Sequence, residues 1–388
     1  MMQSLVKVAE SRQAWCLLVL TACSFVGGLS RAETPRRIDP VRAAAAMDEV
    51  FGRLAQGQRP GCAVGVASSG RVIAARGYGM ANLETGTPIT PDSVFRIAST
   101  SKQFVAASAA LLALRGQLDL DADVRTYVPE LQPMPLPFSA RQLIGHSSGL
   151  PDVYPPLELM FGDEDGNFYP SEYTLQMIYR ARETIFPPGE RYEYSNSGYL
   201  LLAQVVERIS GDSIRRFIER ELLVPLGMTH SHVHDDYREI VPHRATGYGA
   251  IGGDGSRGWE IRETNFHVVG DDGLFTTVGD LVTWYEQFHK PTLPDGERLF
   301  GLMTTPAQYR QGRALDNRGL PADYAFGNLL QEEAGRRIIW HPGGFAGFRA
   351  VPVHWPAEDL TVVALCNYRS MEPIDLVFTL GNRLLSDP

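Results

Sequence analysis

The stretch Ile97-Ala-Ser-Thr-Ser-Lys-Gln-Phe-Val-Ala-Ala-Ser-Ala-Ala-Leu-Leu-Ala-Leu114 reads as a helix that is apolar on nearly every side. Phe104, Val105, Ala106, Ala107, Ala109, Ala110, Leu111, Leu112 and Leu114 leave it no polar face, so it belongs inside the molecule. At its amino end stands Ser99-Thr100-Ser101-Lys102. Residues three apart share one helix face, which brings the Ser99 hydroxyl within reach of the Lys102 amine. Burial disfavours the charged amine, and the helix amino terminus favours an alkoxide. Those are the conditions for an activated serine nucleophile with lysine as its base. Composition adds weight, because beyond the first thirty or so residues Lys102 and Lys290 are the only lysines in a chain otherwise rich in arginine. Arginine stays protonated and cannot take a proton, whereas a buried lysine can. A lone S-x-x-K also arises by coincidence, so the case depends on what surrounds it.

The 388 residues carry 44% hydrophobic content, enough for a large core as one big domain or two interleaved lobes. Net charge is −9 and the isoelectric point about 5.5. With no basic stripe and no aromatic-basic interleaving, nucleic acid is not an expected partner. The long apolar stretch Ala14 to Leu29, preceded by Lys7 and Arg12 and followed by Ser30-Arg31-Ala32, reads as a secretory signal over residues 1–32. The expected location is secreted or periplasmic, with no membrane span after signal removal. Leu20-Thr21-Ala22-Cys23 offers the alternative of a lipid anchor at Cys23, a lipoprotein at the membrane surface. Cys62 and Cys366 then remain in a compartment that permits disulfides. Both fall in strand-like segments, and two thiols are too few for a framework, so buried free cysteines are the expectation.

Asp39-Pro40 predicts a capped helix to about Leu54. A hairpin follows, Cys62 to Ala67 and Arg71 to Gly77, turning at Ser68-Ser69-Gly70. From Asp119 to Gly270 helical segments alternate with Pro- and Gly-rich loops, with no clear strand run. A helix from Val278 to Phe288 leads to strand-like Arg337 to Trp340, Phe348 to Val353 and Leu360 to Leu365, then a closing helix from Ile374 to Leu385. Strands at both ends and helices between them predict an α+β fold, an α/β sandwich. One antiparallel sheet is built from both chain ends and flanked by helices, with a helical lobe inserted. The expected hydrolase domain is 38–388, its sheet lobe about 38–115 plus 275–388 and its helical lobe about 116–274.

An acyl-transfer site also needs a second proton carrier, a polar group to place the substrate and amide donors for the oxyanion. Tyr194-Ser195-Asn196 offers the first two on a loop after Pro187-Pro188-Gly189, though the same residues would serve as a helix-capping turn. Tyrosine acts as base only where nearby cations lower its pKa, a role open to Lys102. His341-Pro342-Gly343-Gly344 offers an imidazole to assist proton transfer and glycines that let a substrate backbone approach, or merely a hairpin turn.

In this order S-T-S-K, Y-S-N and H-P-G resemble the class C β-lactamase and penicillin-binding-protein-like serine hydrolases. That family includes D-alanyl-D-alanine carboxypeptidases, D-aminopeptidases and β-lactamase-like esterases. The resemblance runs from about Asp39 to the carboxyl end and takes in Leu143 to Leu150, Pro188 to Asn196, Pro225 to Met228 and Gly273 to Thr277. It implies Ser99 as nucleophile, Lys102 as its partner, Tyr194 as general base and then acid, and Asn196 as the substrate-orienting side chain. It further implies an oxyanion hole from the amides of Ser99 and Gly344. His341 joins the catalytic set and Gly343 the substrate-binding one.

Where β-lactamases of this group carry lysine and a hydroxyl residue to hold a substrate carboxylate, this chain has His341 and Pro342, so high β-lactamase activity is not expected. Arg349 supplies a positive charge only if it points into the site. His230-Ser-His232-Val-His234-Asp235-Asp236 has the look of a metal cluster but follows a family connection with no metal role. A surface loop is expected there, with no metal and no cofactor. Asp271-Asp272 suggests either a capped turn or a rim that recognises an amine. The expected partner is a small-molecule or peptide substrate, and the expected activity is hydrolysis, through a Ser99 acyl-enzyme, of peptides or amides with D-residues. A small ester is the alternative, and a penicillin-recognising sensor that acylates without turnover is the alternative of another class.

Overall fold

The computed structural model describes residues 38–162, 171–253, 255–264 and 269–386; the signal sequence and the Cys23 anchor read from the sequence lie outside these residues. Asp39 caps the first helix, Pro40–Phe51, by accepting from the amides of Val41 and Arg42, and Pro40 occupies the first turn where its missing N–H costs nothing. Cys62–Ser68 and Arg71–Tyr78 form the hairpin, turning through Ser69 and Gly70, both at positive φ (54° and 67°).

These two strands complete a nine-stranded antiparallel sheet whose other strands come from the carboxyl end. The order is Ala314–Leu315, Pro321–Ala325, Asn328–Glu333, Arg336–Trp340, Phe348–Trp355, Leu360–Cys366, Cys62–Ser68 and Arg71–Tyr78; Gly343–Phe345 pairs with Phe348–Trp355 off this path. The seam between the chain ends is Cys62–Ser68 against Leu360–Cys366. Strand alternation divides the core into two layers. Val64, Val66, Trp340, Val353 and Trp355 pack with Met47, Phe51 and Phe378 of the terminal helices, Pro40–Phe51 and Pro373–Leu385. Ala63, Ala67, Val363 and Leu365 face the opposite way, towards Phe104, Val278, Leu281 and Trp284. Small residues on that face admit the helix Val278–Glu286 closely: a β-carbon on Gly65 would stand 3.2 Å from that of Val278.

Cys62 and Cys366 are direct partners across the seam and form a disulfide, which corrects the expectation of free thiols. The sequence placed both in strands; the register that puts them opposite each other comes from the fold. Replacing both by alanine is expected to destabilise the protein by about 2–4 kcal/mol, because the bond closes a very long loop in the unfolded chain. Urea unfolding midpoints of the two proteins check this, and equal midpoints would contradict it.

Two local readings are also corrected. The serine segment is a 3₁₀ turn, Ala98–Ser101, and the α-helix begins only at Lys102 and runs to Leu114. Ala98 sits at φ 46°, an uncommon conformation for a residue with a side chain, and it breaks the backbone just before the nucleophile. The middle of the chain does contain strands: Tyr248–Ala250 pairs with Trp259–Ile261, and Leu274–Thr276 lies between Phe95–Arg96 and His232–Val233. Strands of two or three residues are too short to show a period in sequence. Within the histidine segment His232–Val233 is thus a strand, and His234 is buried. No helix among the described residues is long and apolar enough to cross a membrane.

Candidate active site

The helix Lys102–Leu114 is buried from Lys102 to Leu112, as its composition requires. In the 3₁₀ turn residues three apart eclipse one another, so Ser99 stands over Lys102 and Nζ lies 3.1 Å from Ser99 Oγ. Lys102 is fully buried, and burial lowers its pKa below the ordinary 10.5 against the opposing pull of Asp271, Asp272 and Asp152. Nζ donates to Asn196 Oδ1 at 2.9 Å and to the Asp271 carbonyl at 2.8 Å. Both oxygens only accept, so whenever the amine is neutral they take its two hydrogens and its lone pair is left towards the Ser99 hydroxyl.

Asn196 opens the helix Asn196–Ser210 and is fixed from behind by Asp152, which accepts from its backbone N–H at 2.6 Å and from Nδ2 at 3.1 Å. That leaves Oδ1 turned to Lys102. Asp152 escaped the sequence reading, since nothing in the spacing of Pro151-Asp152 ties it to a residue 44 positions on. His146 also belongs to this shell. Its Nδ1 accepts the Ser195 N–H at 3.1 Å, its carbonyl accepts the Glu193 N–H at 2.9 Å, and its ring lies 4.2 Å from that of Tyr194. The loop carrying Tyr194 is therefore held on both sides. Burial keeps this imidazole well below its ordinary pKa and neutral.

Tyr194 lines the cavity beside Ser99, and Lys102 Nζ stands 4.9 Å from the centre of its ring. The expected lowering of its pKa does not occur. Burial raises it, Asp271, Asp152 and Asp272 raise it further, and only the nearby Ser99 hydroxyl opposes them. In the resting state Tyr194 is thus a protonated phenol, able to donate a proton. His341 is corrected in the same sense: burial pulls its pKa down to about 3, so it is neutral rather than partly charged. Its Nδ1 lies 2.9 Å from the Pro342 carbonyl, which only accepts, and its Nε2 lies 3.1 Å from Tyr324 Oη. With Nδ1 as donor, Nε2 accepts the Tyr324 hydroxyl, and both nitrogens are engaged. His341 has no free nitrogen with which to shuttle protons.

Gly343 is needed as glycine by the nucleophile's turn: a β-carbon there would stand 2.0 Å from the Ile97 carbonyl. Thr100 Oγ1 donates to the His341 carbonyl at 2.9 Å, joining the same two pieces. Ser99, Tyr194, Asn196, His341, Gly343 and Gly344 all line one cavity of about 760 Å³. The turn, the tyrosine loop and the glycine strand are thereby brought together from three distant parts of the chain.

The cavity wall is acidic. Asp152, Glu158, Asp271, Asp272, Asp316 and Glu372 line it, against Arg349 as the one arginine among its described residues. Asp272 is paired with Arg96 at 2.8 Å, both buried, and Asp271 accepts from Tyr154 Oη at 2.9 Å. Burial raises the Asp271 carboxyl to about 6, with Asp272 adding to the rise and Lys102 opposing it. Arg349 lines the cavity and donates from Nη1 to the Phe348 carbonyl at 2.8 Å.

Residues 44–377 match the model of the Beta-lactamase family. The chain belongs to that family. Its mixed fold is the one expected from the resemblance to class C β-lactamases and penicillin-binding-protein-like proteins. Among curated relatives, a D-aminopeptidase of Brucella anthropi is 30% identical over 310 residues, covering 80% of this chain and 56% of its own length. The chain thus spans little more than half of that relative. Among solved structures, the octameric penicillin-binding protein homologue of Pyrococcus abyssi superposes with a TM-score of 0.75 at 24% identity, over 90% of this chain and 78% of its own. The D-amino acid amidase of Ochrobactrum anthropi SV3, complexed with D-phenylalanine, gives 0.70 at 20% identity, over 88% and 98%. At these identities the two structures speak for the fold alone.

Proposed function

We propose that this family member hydrolyses amides of D-amino acids that carry a free amine, through an acyl-enzyme on Ser99. The observation that carries this reading is the acidic cavity beside the Ser99–Lys102 pair. An ammonium substrate is attracted there, whereas the carboxylate of a β-lactam or of a D-alanyl terminus meets neutral His341 and Pro342 and is repelled by the wall. The D-aminopeptidase relative points to the same substrate class. The disulfide supports an oxidising compartment, consistent with a secreted or periplasmic protein.

In the proposed cycle the neutral Lys102 amine takes the Ser99 proton as Oγ bonds to the amide carbon. The amides of Ser99 and Gly344 hold the resulting oxyanion. The Tyr194 phenol gives its proton to the leaving nitrogen as the C–N bond breaks and recovers one from the Lys102 ammonium. Water then repeats the sequence on the ester: its proton leaves by the same route, its oxygen bonds to the carbonyl carbon, and Ser99 is released with its hydrogen restored.

The test is a panel of D-alanine p-nitroanilide, its N-acetylated form, a D-alanyl-D-alanine peptide, a chromogenic cephalosporin and a short-chain aryl ester, ranked by kcat/KM. The free-amine anilide is expected to lead, and acetylation is expected to cost about tenfold or more, as loss of a charge-assisted contact does. Equal rates with and without the acetyl group, or a leading ester or cephalosporin, would overturn the reading.

A further inference from the structure

His232 and His234 are two apart on the strand His232–Val233 and its continuation, so their side chains leave on one side. Their rings lie 5.5 Å apart, edge to face. Nε2 of His232 and Nδ1 of His234 are shielded from solvent and find no hydrogen-bond partner among the described residues. His234 is only 6% exposed, and a buried imidazole nitrogen left unpaired needs an explanation. Glu239 supplies a third group: its Oε2 stands 3.3 Å from His232 Nε2. One ligand atom from each of the three residues lies within 4.8 Å of the other two.

We propose that His232, His234 and Glu239 form a binding site for one divalent cation of the zinc type, separate from the active-site cavity. Two imidazoles and a carboxylate are the donor set such borderline cations prefer, with water completing the coordination. None of the three lines the cavity that holds Ser99. Glu239 is oriented by Arg215, whose Nη1 and Nη2 donate to Oε2 and Oε1 at 2.6 and 3.0 Å, and each carboxylate oxygen keeps a second lone pair. Arg215 also pairs with Asp235 and Glu219, so its positive charge is shared among three carboxylates.

The position gives the site a consequence. The His234 N–H donates to the Gly273 carbonyl at 2.8 Å, and the His232 strand pairs with Leu274–Thr276. That strand also pairs with Phe95–Arg96, just before the serine turn, and begins three residues after Asp271, whose carbonyl holds Lys102. A bound cation braces the strand that carries one wall of the lysine's cage. Its role is to stiffen, with no step of the reaction passing through it.

The test is a titration of untagged, chelator-treated protein with zinc chloride by calorimetry, with metal content measured by mass spectrometry and thermal unfolding followed with and without zinc. One equivalent is expected to bind and to raise Tm. His232→Gln and His234→Gln are each expected to weaken binding at least about tenfold, and the half-exposed Glu239→Gln to do so with the fold undisturbed. Ser99→Ala is expected to bind zinc like the parent. Absence of binding, binding unchanged in all three ligand variants, or loss of binding in Ser99→Ala would each overturn the proposal. If a histidine variant fails to fold, the Glu239→Gln titration and the absorption of the cobalt-loaded parent decide. An unaltered affinity together with a spectrum lacking imidazole coordination would reject the site.

Discussion

Ser99→Ala is expected to remove turnover of every substrate in the panel, a loss on the order of a millionfold, the scale set by removing a serine nucleophile elsewhere. Labelling by a serine-directed phosphonate is expected to vanish with it. The argument rests on position. Ser99 is the hydroxyl that touches the buried amine of Lys102 and faces the cavity that Tyr194 also lines. Ser101, two residues on, is buried and spends its oxygen on the Leu274 N–H at 3.1 Å, so it cannot take over. Alanine at position 99 leaves the turn unchanged, since the 3₁₀ backbone does not depend on the hydroxyl. A folded variant that still labels or still turns over would contradict the assignment.

Lys102→Arg is expected to place a permanent positive charge there and keep the fold while losing about 10²- to 10⁴-fold in rate, the span that general-base assistance covers. Lys102 has two accept-only neighbours, Asn196 Oδ1 and the Asp271 carbonyl, and one hydroxyl. An arginine satisfies the first two but never offers a lone pair to the third. A variant at half the parent's rate would mean that the lysine serves by its charge alone. The pH profile of the parent carries the sign of the same claim. A base works unprotonated, so kcat/KM is expected to rise with pH through the depressed pKa of Lys102 and to fall as acid restores the ammonium.

What was legible in the sequence and what was not divides along physical lines. The Ser99–Lys102 contact is local, three residues within one turn, and follows from backbone geometry whether the turn is α or 3₁₀. The sheet built from both chain ends followed from where long apolar strands occur, and Cys62–Ser68 against Leu360–Cys366 forms its seam. The pairing of Cys62 with Cys366 needed the register between those strands, which residue spacing does not encode. Asp152 and His146 act on Asn196 and Ser195 across the fold, through contacts that leave no periodic trace. The ionisation of Tyr194 and His341 was misread for one reason: burial depends on what the rest of the chain places around a ring. In the sequence both stand in turn-like text, which says nothing of what packs around them.

The central claim is that a buried, neutral amine faces the nucleophilic hydroxyl. It is tested most directly by NMR titration of protein labelled at its lysine side chains, a small set comprising Lys7, Lys102 and Lys290. The Lys102 signal, assigned by its loss in Lys102→Arg, is expected to titrate below the ordinary 10.5 and to move when Ser99 is replaced by alanine. A Lys102 signal that titrates at or above 10.5 and ignores Ser99 would show a permanent ammonium, and the account of activation would be wrong.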